Sequence, residues 1–342
     1  MDKRIVLAVA GSGKTTEIIN RLSENDRALI ITYTQENCKI LVNGIIEKFG
    51  YIPTGIKVYT YFTFLYSFCF KPYKPNRFID GITYKEIKTI GINDNNLRYY
   101  ANPYSKRMYH SRLSKFCNKF LIKEIISRLE RYFDYLYIDE IQDISGHDFN
   151  FVKNLLQSDL KILLTGDFYQ HNYDTSRDGN VNSNLFDNYD NYIKKFEDEN
   201  IIVDNLLLSK SWRCPPNICR FIADNLGIKI ESHGNINSFI TELILDDEID
   251  AICTNNKTIK LFYQNSNKYN LYSDNWGNTK GKTFENDICV VMNPTTYKLY
   301  KSGNLLQLAP TTRNKLYVAF TRTKKGVYIV EEKKIKKYMN ND

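Results

Sequence analysis

Short apolar runs separated by polar and glycine-containing segments recur along the first part of the chain, and they predict buried strands. The first run covers residues 5–10 and stops in a glycine loop, after which an amphipathic stretch begins. A second run, residues 27–34, precedes a helical pattern over 37–49, and a third run covers 57–64. The alternation of strand and helix predicts βαβ units, and therefore an α/β fold with a parallel sheet.

The later runs continue this pattern. A helical spacing over 120–132 leads into strands at 133–138 and 161–165, and an acidic, Asn-rich stretch follows at 180–200. Further strands and one helix are predicted beyond it, the strands at 206–208, 250–254, 288–292 and 327–330 and the helix through 218–226. We therefore predict two domains, residues 1–200 and 201–342, with a small helical insertion at about 71–133 in the first.

The loop after the first strand has the composition of a phosphate-binding loop. Glycines let the backbone N–H groups approach an anion, a lysine supplies charge for the β and γ phosphates, and a hydroxyl can ligate Mg²⁺. Ala8 stands where the strict pattern has its leading glycine. A Gly-Ser surface turn is the ordinary alternative, but the strand before the loop and the amphipathic stretch after it favour phosphate binding. The candidate residues are Ala10, Gly11, Ser12, Gly13, Lys14, Thr15 and Thr16.

Two adjacent carboxylates end the apolar strand at 133–138. Asp139 can hold Mg²⁺ through water, while Glu140 can orient and deprotonate an attacking water. The next strand opens into a segment that contains Gln170, whose neutral amide can sense the γ-phosphate. Since the carboxyl ends of parallel strands share one edge of a sheet, we expect these side chains to face the same ligand.

Composition narrows the partners and the compartment. The chain has 47 Lys and Arg against 39 Asp and Glu, a net charge of +8, which suits a polyanionic partner without requiring one. Basic and aromatic residues alternate at 98–109, as in surfaces that bind single-stranded nucleic acid, although a solvated surface can have the same composition. Seven cysteines without a CxxC pair argue against a zinc or disulfide framework. No signal peptide or membrane-length apolar run occurs, so we expect a cytoplasmic protein without membrane contact.

Six motifs follow one another in a fixed order: AVAGSGKT, IITYT, YIDEIQD, LTGDFYQ, LSKSWRCP with TKGKTF, and YVAFTR. Together they resemble the superfamily 1 helicases of the UvrD/Rep type, from residue 5 to about 330. The resemblance implies two RecA-like P-loop NTPase domains that close over ATP and Mg²⁺ and move 3′→5′ along single-stranded DNA or DNA with a single-stranded tail. The spacing lacks the large inserted subdomain of bigger relatives, which implies a minimal motor of viral or mobile-element type that could require a protein partner to separate strands.

The same resemblance assigns roles to further residues. Arg213 and Arg322, which we place at strand ends, match arginines that reach the γ-phosphate, and Trp212 matches an aromatic that stacks on the adenine. Contacts to the nucleic acid are implied for Tyr33, Thr34, Thr60 and Tyr61 in the first domain and for Thr279 and Lys280 in the second. Two alternatives stay open: an ATPase switch or remodeller in a larger nucleic-acid complex without processive unwinding, and an RNA-directed motor.

Overall fold

The chain forms two compact units of similar size. A computed structural model describes residues 3–74, 79, 81–85, 91–171, 179–236 and 238–340. One unit contains residues 1–6, 15–166 and 173–204, and the other contains residues 7–14, 167–172 and 205–342. The glycine loop and the segment that contains Gln170 therefore cluster with the C-terminal part of the chain.

The first unit is built on a six-stranded sheet. Strands along this part of the chain are β1 (Arg4–Leu7), β2 (Ala28–Thr32), β3 (Ile56–Thr60), β4 (Gly81–Thr83), β5 (Arg107–Tyr109), β6 (Tyr135–Ile138), β7 (Lys161–Gly166) and β8 (Ile202–Asp204). The order in the sheet is β3-β2-β6-β7-β1-β8, while β4 and β5 form a separate pair. Parallel pairing joins β2 to both β3 and β6, β6 to β7, and β1 to β8. Every residue of β2 is buried, as expected of a strand in a parallel sheet that is covered on both faces.

Helices alternate with these strands along the chain. They are α1 (Lys14–Arg21), α2 (Gln35–Phe49), α3 (Tyr61–Thr63), α4 (Leu113–Phe120), α5 (Ile122–Tyr132), α6 (Gly146–Leu155) and α7 (Tyr189–Glu197). A π-helical segment, Phe64–Phe70, follows α3. Helix α2 begins with a Thr34 cap, whose hydroxyl accepts from Asn37 N, and ends at Gly50 in the left-handed conformation, so both of its ends have the expected chemistry.

The second unit contains a five-stranded parallel sheet. The strands of this unit are β9 (Lys210–Ser211), β10 (Glu231–Ser232), β11 (Ile240–Glu242), β12 (Ile259–Phe262), β13 (Ser273–Asn275), β14 (Ile288–Met292) and β15 (Val327–Glu331). The five-stranded sheet has the order β11-β15-β14-β12-β13, and β9 pairs with β10 in a separate two-stranded sheet. The helices are α8 (Pro216–Leu226), α9 (Asp246–Thr254), α10 (Pro294–Lys301) and α11 (Pro310–Phe320). Ile222 of α8 and Phe320 of α11 pack with the central strands in one buried cluster. Within the described ranges, no helix has the length and apolar character needed to cross a bilayer.

The predicted α/β class with parallel sheets is confirmed, but several local predictions are wrong. Residues 206–208 form a turn, and the neighbouring strand is Ile202–Asp204, which pairs with β1. Residues 250–254 belong to helix α9, whose first turn carries three acidic residues that interact favourably with the helix dipole. The run at 57–64 stops being a strand at Thr60, where its hydroxyl caps α3. Arg322 follows helix α11 and does not end a strand.

Candidate nucleotide-binding site

The glycine loop between β1 and α1 has a backbone that only glycine adopts readily. Gly11 has φ +73° and Gly13 has φ +93°. A Cβ atom on Gly11 would lie 2.8 Å from the Cβ atom of Arg213 and 2.9 Å from Ser211 Oγ, both in the same unit as the loop. Gly11 is therefore required by its own dihedral angles and by the close approach of residues 211–213.

Hydrogen bonds from distant parts of the sequence hold this loop. Ser211 Oγ donates to Ala10 O at 2.7 Å, and Trp212 N donates to Gly11 O at 2.9 Å. Ala10 N donates to Tyr317 Oη at 2.8 Å. The Oγ atom of Ser12 is buried and has no hydrogen-bond partner among the described residues. A buried hydroxyl without a partner in a glycine loop fits a phosphate oxygen as its missing partner.

Tyr317 connects the loop to the segment that follows β7. Its hydroxyl oxygen accepts from Ala10 N, and its hydroxyl proton is donated to Asp167 Oδ2 at 2.9 Å. Gln170 Nε2 donates to the same Asp167 oxygen at 2.8 Å. Burial, together with the Asp167 carboxylate, raises the pKa of Tyr317 well above its usual value, so the hydroxyl keeps its proton. Gln170 is thereby linked to the phosphate loop through a continuous chain of buried hydrogen bonds.

The first unit contains the hydroxyl and carboxylate predicted to hold a metal. Thr15 Oγ1 donates to Asp139 Oδ2 at 2.9 Å, while Thr165 Oγ1 and Glu140 N donate to Asp139 Oδ1 at 2.7 and 3.0 Å. Asp139 is buried. The described residues hold no cluster of three or more His, Cys, Asp or Glu side chains suited to a metal. Mg²⁺ bound together with a nucleotide takes one or two oxygen ligands from the protein, and Thr15 with Asp139 fits that donor set.

Glu140 has a backbone conformation that is costly for a residue with a side chain. Its φ and ψ are 57° and 45°, in the left-handed region, which costs on the order of 1–3 kcal/mol. The Gln142 amide donates to the Glu140 carboxylate. A Cβ atom on Gly166 would lie 2.6 Å from Gln142 Oε1, so the glycine that ends β7 makes room for this amide. Sequence reasoning missed Gln142, although the DEIQD motif contains it two positions after Glu140.

The two predicted arginines differ in how their side chains are bound. Arg213 donates from Nη1 to Thr283 Oγ1 at 3.1 Å, and its buried Nε has no hydrogen-bond partner among the described residues. Arg322 is 1 % exposed, and it donates from Nε to Val318 O at 2.8 Å and from Nη2 to Thr321 Oγ1 at 2.9 Å. Burial and the charge of Arg213 lower the pKa of Arg322 to about 9, so it remains a cation at neutral pH. Within the described part of the chain neither arginine forms an ion pair, and only Arg213 retains an unused buried donor.

Trp212 lies next to the phosphate loop because its backbone N–H is bonded to Gly11. The indole is 72 % exposed, and its ring stacks on His233 with centroids 3.8 Å apart and planes at 12°. Stacking on His233 holds the indole in place with most of its surface in solvent. This arrangement suits an aromatic platform for a nucleobase.

The residues predicted to contact nucleic acid fall into two groups. Tyr61 and Thr279 are buried, and their hydroxyls donate to Asp148 Oδ1 at 3.2 Å and Trp276 O at 2.7 Å, which gives them a structural role here instead of the predicted contact. Thr60 is also mostly buried and caps α3. Tyr33, Thr34 and Lys280 remain partly exposed at the surface. Thr16, a predicted nucleotide-binding residue, lies in the first turn of α1 and is exposed.

Parallel sheets, a glycine loop after the first strand and carboxylates at strand ends are typical of α/β proteins of the phosphate-loop class. A model of the viral superfamily 1 RNA helicase core domain matches residues 105–331, more than half of the chain. The chain belongs to this family. The match is to the viral branch of superfamily 1, and the UvrD/Rep type that we expected is not specifically supported.

Solved helicase structures are similar to this chain at low sequence identity. The arterivirus nonstructural protein 10 helicase in complex with DNA has a TM-score of 0.50 at 13 % identity, covering 96 % of this chain and 60 % of that one. The PRRSV helicase has a TM-score of 0.48 at 13 % identity, covering 99 % of this chain and 54 % of that one. The chain thus spans little more than half the length of these helicases. No curated protein sequence matches the chain.

Proposed function

We propose that this protein is a motor that hydrolyses ATP with Mg²⁺ and uses the energy to move along single-stranded nucleic acid. The observation that carries the proposal is the buried chain from Ala10 through Tyr317 and Asp167 to Gln170. Through these hydrogen bonds, binding or release of a phosphate at the glycine loop is transmitted to the Gln170 side chain and to helix α11, which contains Tyr317. Such a link is what coupling between hydrolysis and movement requires.

Each site residue has a distinct part in the proposed reaction. Lys14 and the loop N–H groups bind the phosphates, and Thr15 and Asp139 hold Mg²⁺, which neutralises charge on the phosphate oxygens when bound. Glu140 accepts the proton of the attacking water, and Gln142 fixes the orientation of the carboxylate that does so. We assign Arg213 to the charge that develops on the γ-phosphate, because its buried Nε has no partner among the described residues.

We assign the nucleobase of ATP and the single-stranded nucleic acid to other surface residues. Trp212, supported by His233, stacks on the nucleobase, which favours a purine such as adenine because of its larger ring. Tyr33, Thr34 and Lys280 contact the single strand. The seven cysteines are all free, which supports a reducing, intracellular environment.

Single-stranded DNA, or DNA with a single-stranded tail, is the substrate proposed from the UvrD/Rep-like motif order, with 3′→5′ movement. An RNA-directed motor is the second candidate, and the description of the matched family as an RNA helicase core favours it. The third candidate is an ATPase switch without translocation. Stimulation of hydrolysis by a bare polymer supports a motor, whereas stimulation only by a protein partner supports the switch.

Steady-state hydrolysis measured with poly(dT), poly(U) and no polymer tests this proposal. We expect stimulation by at least one polymer, and the polymer that stimulates more identifies the strand. Lys14→Ala is the control, in which hydrolysis should be lost with each polymer. Equal hydrolysis in the parent and Lys14→Ala, or no hydrolysis under any of the three conditions, would overturn the proposal. Duplexes with a 3′ or a 5′ tail then give the direction of movement.

A further inference from the structure

A basic hollow lies on the first unit at the amino ends of three neighbouring strands. Its volume is about 320 Å³, and its lining includes Arg27, Lys57, Tyr59, Arg128 and Tyr132. A second hollow of about 410 Å³ shares Arg128 and Tyr132 with it. The two hollows thus form one surface with Arg128 and Tyr132 in the middle, which we call the amino-edge groove.

The amino-edge groove is separate from the carboxylate pair of the candidate nucleotide site. Arg27 immediately precedes β2, Gly55 immediately precedes β3, and Phe133 lies just before β6. Asp139 follows the other end of β6. At a rise of about 3.3 Å per residue, the distance from Phe133 to Asp139 is roughly 20 Å.

Arg128 lies between two aromatic rings of the groove. Its guanidinium carbon lies 4.9 Å from the ring centroid of Phe68 and 5.1 Å from that of Tyr132. Its Nε is buried without a hydrogen-bond partner among the described residues, and no carboxylate there pairs with it. Two aromatic rings therefore hold the planar cation in position while its donors stay unused. A guanidinium in this state suits bidentate binding of a phosphate group.

The other charged side chains of the groove are mostly positive, as Arg128 is. Lys57, Lys123 and Arg131 form no ion pair with any described residue, whereas Arg27 is already bound to Asp134. Glu124 lines the second hollow and does not pair with Arg128 in this conformation. The cations without partners outnumber the carboxylates, so the groove attracts anions.

We propose that the amino-edge groove binds the phosphodiester backbone of single-stranded nucleic acid, with Arg128 on a phosphate and Tyr132 stacked on a base. Two adjoining hollows accommodate successive phosphates of a strand, which a single free phosphate would not need. Tyr132 is 47 % exposed beside Arg128, and alternation of a cation with an accessible ring is typical of single-strand binding. The site goes beyond the motor proposal, since it uses neither the glycine loop nor the residues assigned there to the strand.

Fluorescence anisotropy with labelled 20-mers of dT and U, measured on the full chain without nucleotide, tests the groove. Arg128→Gln should weaken binding roughly tenfold, the expected size for loss of a charge-assisted hydrogen bond, and should reduce the salt slope by about 0.7. Lys57→Gln, at an exposed position that leaves the packing intact, should weaken binding about threefold. Arg220→Gln, the same change on an exposed face of α8, is the matched control and should change affinity less than twofold.

The outcomes separate this site from the motor proposal. Oligonucleotide binding equal to that of the parent in folded Arg128→Gln and in Lys57→Gln would overturn the proposed groove. If Arg128→Gln does not fold, Lys57→Gln alone decides. The Arg128 effect should persist in a Lys14→Ala background. If the parent protein hydrolyses no ATP but Arg128→Gln still weakens oligonucleotide binding, only the motor proposal is refuted.

Discussion

Tyr317→Phe is the most informative single substitution at the candidate nucleotide site. It removes one oxygen atom and leaves the aromatic ring, so it creates almost no cavity. Two buried groups lose a partner: the Ala10 N–H group, which donates at 2.8 Å, and Asp167 Oδ2, which accepts at 2.9 Å. Leaving a buried donor unsatisfied costs about 1–3 kcal/mol, and Asp167 keeps its bonds from Gln170 Nε2 and Tyr169 N.

We therefore expect the free energy of unfolding to fall by about 2–3 kcal/mol, as measured by urea denaturation. Nucleotide affinity should also fall, because the glycine loop loses the hydrogen bond from Ala10 N to Tyr317. The value of kcat should fall about tenfold or more, because the Asp167 carboxylate that holds Gln170 loses its hydrogen bond from Tyr317. A fluorescent ATP analogue reports the affinity, and steady-state hydrolysis reports kcat and KM.

Tyr263→Phe is the matched control for this experiment. Its ring packs against Trp276 in the same unit, and its hydroxyl forms no hydrogen bond with any described residue. The control should retain the stability and kinetics of the parent. If Tyr317→Phe behaves like Tyr263→Phe in both assays, the buried chain does not hold the loop and the reasoning is refuted.

Three further substitutions test other parts of the site. Thr165→Val should raise the Mg²⁺ concentration for half-maximal hydrolysis severalfold by releasing Asp139 Oδ1, and Thr165→Ser should restore it; a Mg²⁺ titration that does not move contradicts the assignment. Gly11→Ala should abolish binding of the ATP analogue, because the new Cβ would lie 2.8 Å from Arg213, whereas Gly50→Ala, with open space around it, should cost only the strain of its φ; equal binding in the two variants would show that the contact is unimportant. Arg213→Ala should lower kcat by about 10³ with little change in nucleotide affinity, and a parallel loss of affinity would contradict a role in the reaction.

The local parts of the site were predictable from sequence. The glycine loop and the Asp139-Glu140 pair each follow directly from an apolar strand, so chain order alone brings them to strand ends. Helix α2 was also predictable, because its apolar spacing and its polar cap lie within a few positions of each other. These features depend on short segments in which pattern and structure coincide.

The remaining features depend on contacts between distant residues. Ala10 and Tyr317 are 307 positions apart, and nothing in the local pattern of either segment indicates their hydrogen bond. The apolar run at 206–208 looked like a strand, yet Leu206 is 79 % exposed, because Ile202–Asp204 pairs with β1 instead. Tyr100 and Tyr109 lie in the basic and aromatic stretch at 98–109 but are fully buried, whereas Tyr104 is 87 % exposed. Composition could not distinguish the rings that form the core from those at the surface.

The most direct test of the account is a stopped-flow translocation assay on oligonucleotides of increasing length that carry a fluorophore at one end. Single-turnover loading followed by addition of ATP and Mg²⁺ should give an arrival time that increases linearly with length, and Lys14→Ala should give no signal. An arrival time independent of length, in a protein that still hydrolyses ATP, would contradict movement along the strand.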